Sequence, residues 1–180
     1  MDRVHDALER LKKAKLIPIL RCANPDVAIA RGVELAEMGC GALEITMDSV
    51  DCMRILRELV EKVGDKVLVG VGTVEDKMQI EAVADAGARF ALSPVNPYGM
   101  IAAAHARGVL AMPAAFSPQE LHEAHNQGAL CMKLFPAQLW NPSALKDVKG
   151  IGAFAKMNIF PSGGITPENA PKVGIPISCT

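Results

Sequence analysis

Apolar and polar positions follow two rhythms along this chain. Between Asp2 and Lys15, Val4, Ala7, Leu8, Leu11 and Ala14 recur at helical spacing among charged residues, which predicts an amphipathic helix covering one end of the domain. From Leu16 onward, short runs rich in branched residues alternate with longer amphipathic stretches. Strands are expected from Leu16 to Arg21, Ala42 to Met47, Val67 to Val71, Phe90 to Leu92, Val109 to Met112, Leu130 to Phe135 and Asn158 to Phe160. Helices are expected between them, from Asp26 to Met38, Asp51 to Lys62, Asp76 to Ala86, Pro97 to Ala106, Pro118 to Asn126 and Pro142 to Val148. Strand starts recur about every 20 to 25 residues, the spacing of a parallel sheet with helical crossovers. Gly39, Gly64, Gly87, Gly108 and Gly128 punctuate the helix ends, while Asn24-Pro25, Ser117-Pro118, Asn141-Pro142 and Thr166-Pro167 mark helix starts.

This alternation suits both an open doubly wound sheet and a closed barrel. The strand faces favour the barrel. Glu44 and Thr46 share one face while Leu43 and Ile45 share the other, and Cys131, Lys133 and Phe135 oppose Leu130, Met132 and Leu134. In a barrel the aliphatic face packs on the helices and the mixed face points to the axis, where chemistry can sit. An open sheet covered on both faces has less room for Glu and Lys. The expectation is one α/β domain over residues 1–180, with 1–15 as its capping helix.

Composition narrows the function classes. Half of the residues are apolar and only 4% are aromatic, with 19 basic against 20 acidic side chains. The basic residues are scattered, so no nucleic-acid partner is expected, and a bound anion would be small. The five cysteines, Cys22, Cys40, Cys52, Cys131 and Cys179, show neither CxxC nor His-paired spacing and read as reduced thiols, Cys131 as a buried one. No apolar run approaches the roughly 20 residues of a membrane span, so no membrane partner is expected. These features point to a cytoplasmic location, or to an organelle if a transit peptide is removed.

Lys133 is the most informative residue. It lies in a strand otherwise free of charge, where a buried ammonium must be paired or lose its proton. At the usual pKa of about 10.4, only a few lysines in roughly ten thousand are free amine at neutral pH. Desolvation lowers that pKa and yields the nucleophile that imine chemistry requires. The competing reading is an edge-strand lysine whose amine reaches solvent. Glu44, on a second inward face, is suited to pair with it and shuttle protons. Gly70-Val71-Gly72-Thr73 closes the third strand, and Pro161-Ser162-Gly163-Gly164-Ile165 closes the seventh, where a phosphate cradle or a plain tight turn is expected. His5, His105, His122 and His125 fall on predicted helices and read as surface residues. Neither a metal site nor a cofactor is expected.

Leu43-Glu44-Ile45-Thr46, Gly70-Val71-Gly72-Thr73-Val74, Ser93-Pro94, Met132-Lys133-Leu134-Phe135-Pro136-Ala137 and Pro161-Ser162-Gly163-Gly164-Ile165 together resemble the 2-keto-3-deoxy-6-phosphogluconate (KDPG) and 4-hydroxy-2-oxoglutarate (KHG) aldolases, in order from about Leu16 to Asn169. The resemblance implies a (β/α)8 TIM-type barrel and a homotrimeric, metal-independent class I aldolase. Its substrate would be a keto-acid phosphate, KDPG, cleaved to pyruvate and glyceraldehyde 3-phosphate. Carried over residue by residue, it makes Lys133 the Schiff-base amine and Glu44 the general acid/base. Thr73 would bind the pyruvyl carboxylate, Pro94 and Phe135 would wall the pocket, and Ser162, Gly163 and Gly164 would hold the phosphate.

Three departures qualify it. Many members carry an arginine shortly after the strand-two glutamate, whereas this chain reads Thr46-Met47-Asp48-Ser49; Arg21, at the end of the first strand, is in position to replace it. Pro113-Ala114-Ala115 stands where Pro-Gly is usual. After Asn169 the resemblance dissolves, so residues 170–180 are expected to form an unrelated tail, leaving the barrel without its eighth strand and helix. The alternatives are then KHG cleavage, which needs no phosphate site, or an impaired barrel that acts as a binding fragment.

Overall fold

The first helix opens on a strong cap. Asp2 accepts hydrogen bonds from the Val4 and His5 amides, and α1 (Arg3–Ala14) then turns Val4, Ala7, Leu8 and Leu11 to one buried side. Lys15, at a φ of 61°, ends α1 and sends the chain into β1 (Leu16–Leu20). The computed structural model describes residues 2–166, 168–170 and 177–179. Strand and helix then alternate as α2 (Pro25–Glu37), β2 (Ala42–Thr46), α3 (Cys52–Val63), β3 (Leu68–Gly72), α4 (Lys77–Asp85), β4 (Phe90–Leu92) and α5 (Met100–Ala106). The chain continues with β5 (Leu110–Met112), β6 (Ala114–Ala115), α6 (Pro118–Asn126), β7 (Cys131–Leu134), a single 3-10 turn (Ala137–Leu139), α7 (Pro142–Gly150), β8 (Asn158–Pro161) and β9 (Ile177–Cys179).

Local chemistry accounts for the helix starts. Asn24 and Asn141 cap α2 and α7 with a proline in the first turn, and Ser117 forms a reciprocal capping box with Glu120 at α6. The fourth expected start, Thr166-Pro167, falls partly outside the described residues. Of the helix-ending glycines, Gly39, Gly87, Gly108 and Gly128 adopt positive φ, whereas Gly64 stays right-handed at −64°. There the constraint is space and not φ, since a Cβ on Gly64 would overlap Val60 O.

All strand pairs are parallel, in the orders β5-β4-β3-β2-β1-β9 and β6-β7-β8. Two sequence expectations change here. The fifth strand is longer than expected and split: Pro113 supplies no N–H to a ladder, so β5 pairs with β4 and β6 pairs with β7 on either side of it. The position of an eighth strand, expected to be empty, is taken by β9, which pairs with β1 and lies next to β8. Most of the expected 170–180 tail lies outside the described residues.

Two apolar clusters show the inside-outside logic of the strands. Leu43, Ile45, Val69, Val71, Met132 and Leu134 pack outward with the helices, each such burial stabilising by roughly 1.5–3 kcal/mol. Ala42, Leu68, Phe90, Leu110, Cys131 and Phe160 point inward, where Val4, Leu8 and Leu11 of α1 join them. The helix therefore plugs the barrel at the strands' N-terminal ends. The opposite ends remain for chemistry. No helix among the described residues is long and apolar enough to cross a membrane.

Candidate active site

Glu44 and Lys133 project from β2 and β7 into the barrel near the strands' C-terminal ends, and both are buried, at 1% and 7% exposure. Register explains the placement. Glu44 lies opposite Gly70, and Thr46 opposite Gly72, so the neighbouring strand offers no side chain where the carboxylate needs space. A Cβ on Gly72 would stand 2.5 Å from Glu44 Cδ and overlap the carboxylate, while one on Gly70 would strike the Phe90 ring. The two strand glycines are thus the cavity that accommodates Glu44 and Phe90. We expect Gly72→Ala to displace the Glu44 carboxylate and lower any Glu44-dependent rate by at least about tenfold; circular dichroism and initial-rate measurements on the variant test this.

Burial shapes the electrostatics of the pair. Desolvation pushes the Glu44 carboxyl up to about 7, against the opposing pull of the Lys133 and Arg21 charges; Asp48 adds to the rise. Its Oε2 is buried without a hydrogen-bond partner among the described residues, so it is available to a reacting molecule. Lys133 is held below the usual lysine range, first by burial; Glu44 opposes the shift and Arg21 adds to it. Among the described residues neither group forms a salt bridge. A carboxyl balanced near neutrality therefore shares the barrel mouth with an amine biased toward its nucleophilic form. The Lys133 ammonium also lies 4.9 Å from the centroid of the Phe135 ring.

The other expected residues surround this pair. Arg21 directly follows β1 at the mouth, 63% exposed, with Nε 3.3 Å from Asp48 Oδ2. Thr73, directly after β3, adopts a φ of 63°. That conformation is unfavourable for a β-branched residue and is retained here by the turn that leaves the strand. Pro94 and Phe135 come together in the wall of a cavity of about 150 Å³, with Ala114, Ala115 and Phe116; Lys133 itself does not line it. Ser162, Gly163 and Gly164 follow β8 in a tight turn with positive φ at both glycines. The Ser162 N–H donates to Leu134 O at 3.0 Å, which leaves the amides of Gly163 and Gly164 without a backbone acceptor among the described residues. Those two, rather than Ser162, have N–H groups to offer an anion.

Several neighbours escape sequence reading. Gln138 packs its carboxamide against Gly164, and its backbone N–H donates to Gly163 O at 3.1 Å, tying the turn after β7 to the turn after β8. Buried Thr46 and Ser49 share a hydroxyl hydrogen bond of 3.0 Å. Thr46 had already shown itself on the inward face with Glu44; Ser49 and Gln138 gave no signal, because contacts made across turns leave no period. Of the histidines, His5, His122 and His125 are exposed as expected, but His105 is half-buried at the foot of the barrel. Cys22, Cys40, Cys52 and Cys131 are free thiols, and burial pushes the Cys131 thiol up.

Known proteins share this fold. The KDPG and KHG aldolase family model matches residues 7–174. The chain is 32% identical over 157 residues to the 2-dehydro-3-deoxy-6-phosphogalactonate aldolase of Escherichia coli, covering 87% of this chain and 76% of that one. The native KDPGal structure superposes with a TM-score of 0.86 at 30% identity, covering 92% and 81% of the two chains. The KDPG aldolase of Legionella pneumophila, solved with pyruvate captured as a covalent carbinolamine intermediate, superposes at 0.83 with 26% identity, covering 96% and 85%. These matches define a TIM-type barrel lyase of the metal-independent class I type. Within that class the chain belongs to the KDPG and KHG aldolase family.

Proposed function

We propose that this enzyme cleaves a 2-keto-3-deoxy-6-phospho sugar acid into pyruvate and glyceraldehyde 3-phosphate, with Lys133 as the imine-forming amine and Glu44 as the proton carrier. The observation that carries the assignment is the buried Lys133 amine sharing the mouth with a carboxyl balanced near pH 7. Neutral Lys133 adds to the C2 carbonyl, and the Glu44 carboxylic acid protonates the departing hydroxyl so that water leaves and a protonated imine remains. The Glu44 carboxylate then takes the proton of the C4 hydroxyl. The C3–C4 bond breaks, its electrons pass into the imine to give an enamine, and the aldehyde departs. Glu44 returns the proton to C3, and water hydrolyses the imine to free pyruvate and Lys133.

Arg21 and Thr73 hold the substrate carboxylate at the ends of β1 and β3, Pro94 and Phe135 wall its carbon chain, and the Gly163 and Gly164 amides face the phosphate. The gluconate and galactonate substrates differ only in configuration at C4 and give the same two products. Sequence resemblance favours the gluconate form, and the 32% identical relative bears the galactonate name. KHG is the alternative, since its cleavage needs no phosphate site.

Borohydride reduction in the presence of pyruvate, followed by intact-mass analysis and peptide mapping, tests the assignment. A reduced pyruvyl adduct on Lys133 is the expected result. A folded protein without that adduct would overturn the reading. Turnover of KDPG, its galactonate epimer and KHG then ranks the substrates.

A further inference from the structure

Arg21 is a long, exposed side chain, and a freely rotating guanidinium is a poor receptor for a planar anion because binding must first immobilise it. Its surroundings are fixed to an unusual degree. The β1 exit and the turn after β2 are fastened together: Cys22 N–H donates to Ser49 Oγ at 3.2 Å, Ser49 Oγ donates to Leu20 O at 3.4 Å, and Val50 N–H donates to Cys22 O at 3.3 Å. The Ser49 hydroxyl in turn meets Thr46 Oγ1, from a residue 1% exposed. This buried hydroxyl pair fixes the backbone on either side of Asp48. The Asp48 carboxylate itself stays half-exposed and meets Arg21 at Nε.

The contact uses one edge of the guanidinium. Among the described residues, neither terminal nitrogen of Arg21 has a hydrogen-bond partner, so the fork that suits a carboxylate is open to one. The Arg21 charge acts on both Glu44 and Lys133, which places the group at the same mouth. An exposed pair of this kind adds little to stability. Its consequence is orientation.

We propose that Asp48 is a positioning residue, pairing with Arg21 Nε to aim the two terminal nitrogens at the carboxylate of a bound 2-keto acid. Asp48 does not touch the substrate; it acts through Arg21. The inference rests on Lys133 forming an imine with such an acid.

The test is a double-mutant cycle on pyruvate capture, using wild type, Arg21→Ala, Asp48→Ala and the double variant, with borohydride-trapped adduct at Lys133 measured against pyruvate concentration. Asp48→Ala is expected to raise the half-saturating pyruvate by about tenfold, change the plateau rate by less than about threefold, and leave the melting temperature in place. In the Arg21→Ala background the same change should alter half-saturation by less than about twofold. An unchanged half-saturation in Asp48→Ala, or an equal rise with and without Arg21, would overturn the inference while leaving the imine chemistry intact. Absence of adduct in the wild type would overturn the functional reading, and this inference with it. Asp48→Ser, which also removes the charge, carries the same expectations if the alanine variant does not fold.

Discussion

Lys133→Gln is expected to abolish the pyruvyl adduct and bring C–C cleavage down by roughly 10⁴-fold or more, the scale on which nucleophile removal acts when the remaining groups supply only binding and polarisation. Glutamine keeps the length of much of the side chain and removes the attacking amine. Lys133 Nζ touches the Phe135 ring but forms no salt bridge among the described residues, so the substitution breaks no ion pair. The folded state should survive, and the melting temperature should hold or rise, since a buried amine is a burden on stability. Intact-mass trapping together with a coupled assay for released pyruvate provides the check. An adduct persisting in this variant would move the nucleophile to another lysine.

Glu44→Gln is expected to slow cleavage by about 10²- to 10⁴-fold and to change how stability depends on pH. The folded carboxyl titrates at about 7 against an ordinary 4.5, so the native state holds its proton more tightly than the unfolded chain. For an acid shifted in this direction, stability is greatest below the unfolded value. It declines as pH rises from about 4.5 to 7, then levels, a total on the order of 3 kcal/mol. Removing the charge should therefore make Glu44→Gln the more stable protein at pH 8, with the difference shrinking toward pH 5. Thermal melts of both proteins at the two values measure this directly. A constant difference across that range would mean that Glu44 is not the buried, elevated acid described here.

The same residues show how much was legible in the chain. Repeated strand and helix, and the inward placement of Glu44 and Lys133, followed from period-two alternation, because a strand that packs outward on helices leaves its other face to the axis. The helix starts followed from side chains next to the backbone they cap. The split of the fifth strand at Pro113 was not legible: whether a proline ends a strand or sits between two half-ladders depends on neighbours distant in sequence. Nor was β9, a three-residue segment after Pro176 with too few positions to show a period. At the mouth, Arg21 was found by resemblance, whereas Ser49 and Gln138 act through contacts between turns. Gly72 was noticed as a turn glycine. The stronger reason for it, the Glu44 carboxylate lying across it, requires two strands in register.

The α1 plug has a further consequence. With the axis at the strands' N-terminal ends stoppered by Val4, Leu8 and Leu11, the axial approach to Lys133 is from the opposite, C-terminal ends. In the proposed reaction a molecule tethered there is a blind-alley guest: its anchored end lies among the strands, and its free end trails outward among the rim loops. Recognition is therefore divided along the length of the guest. On that proposal the strands would meet what the substrates hold in common, and the loops would meet where they differ.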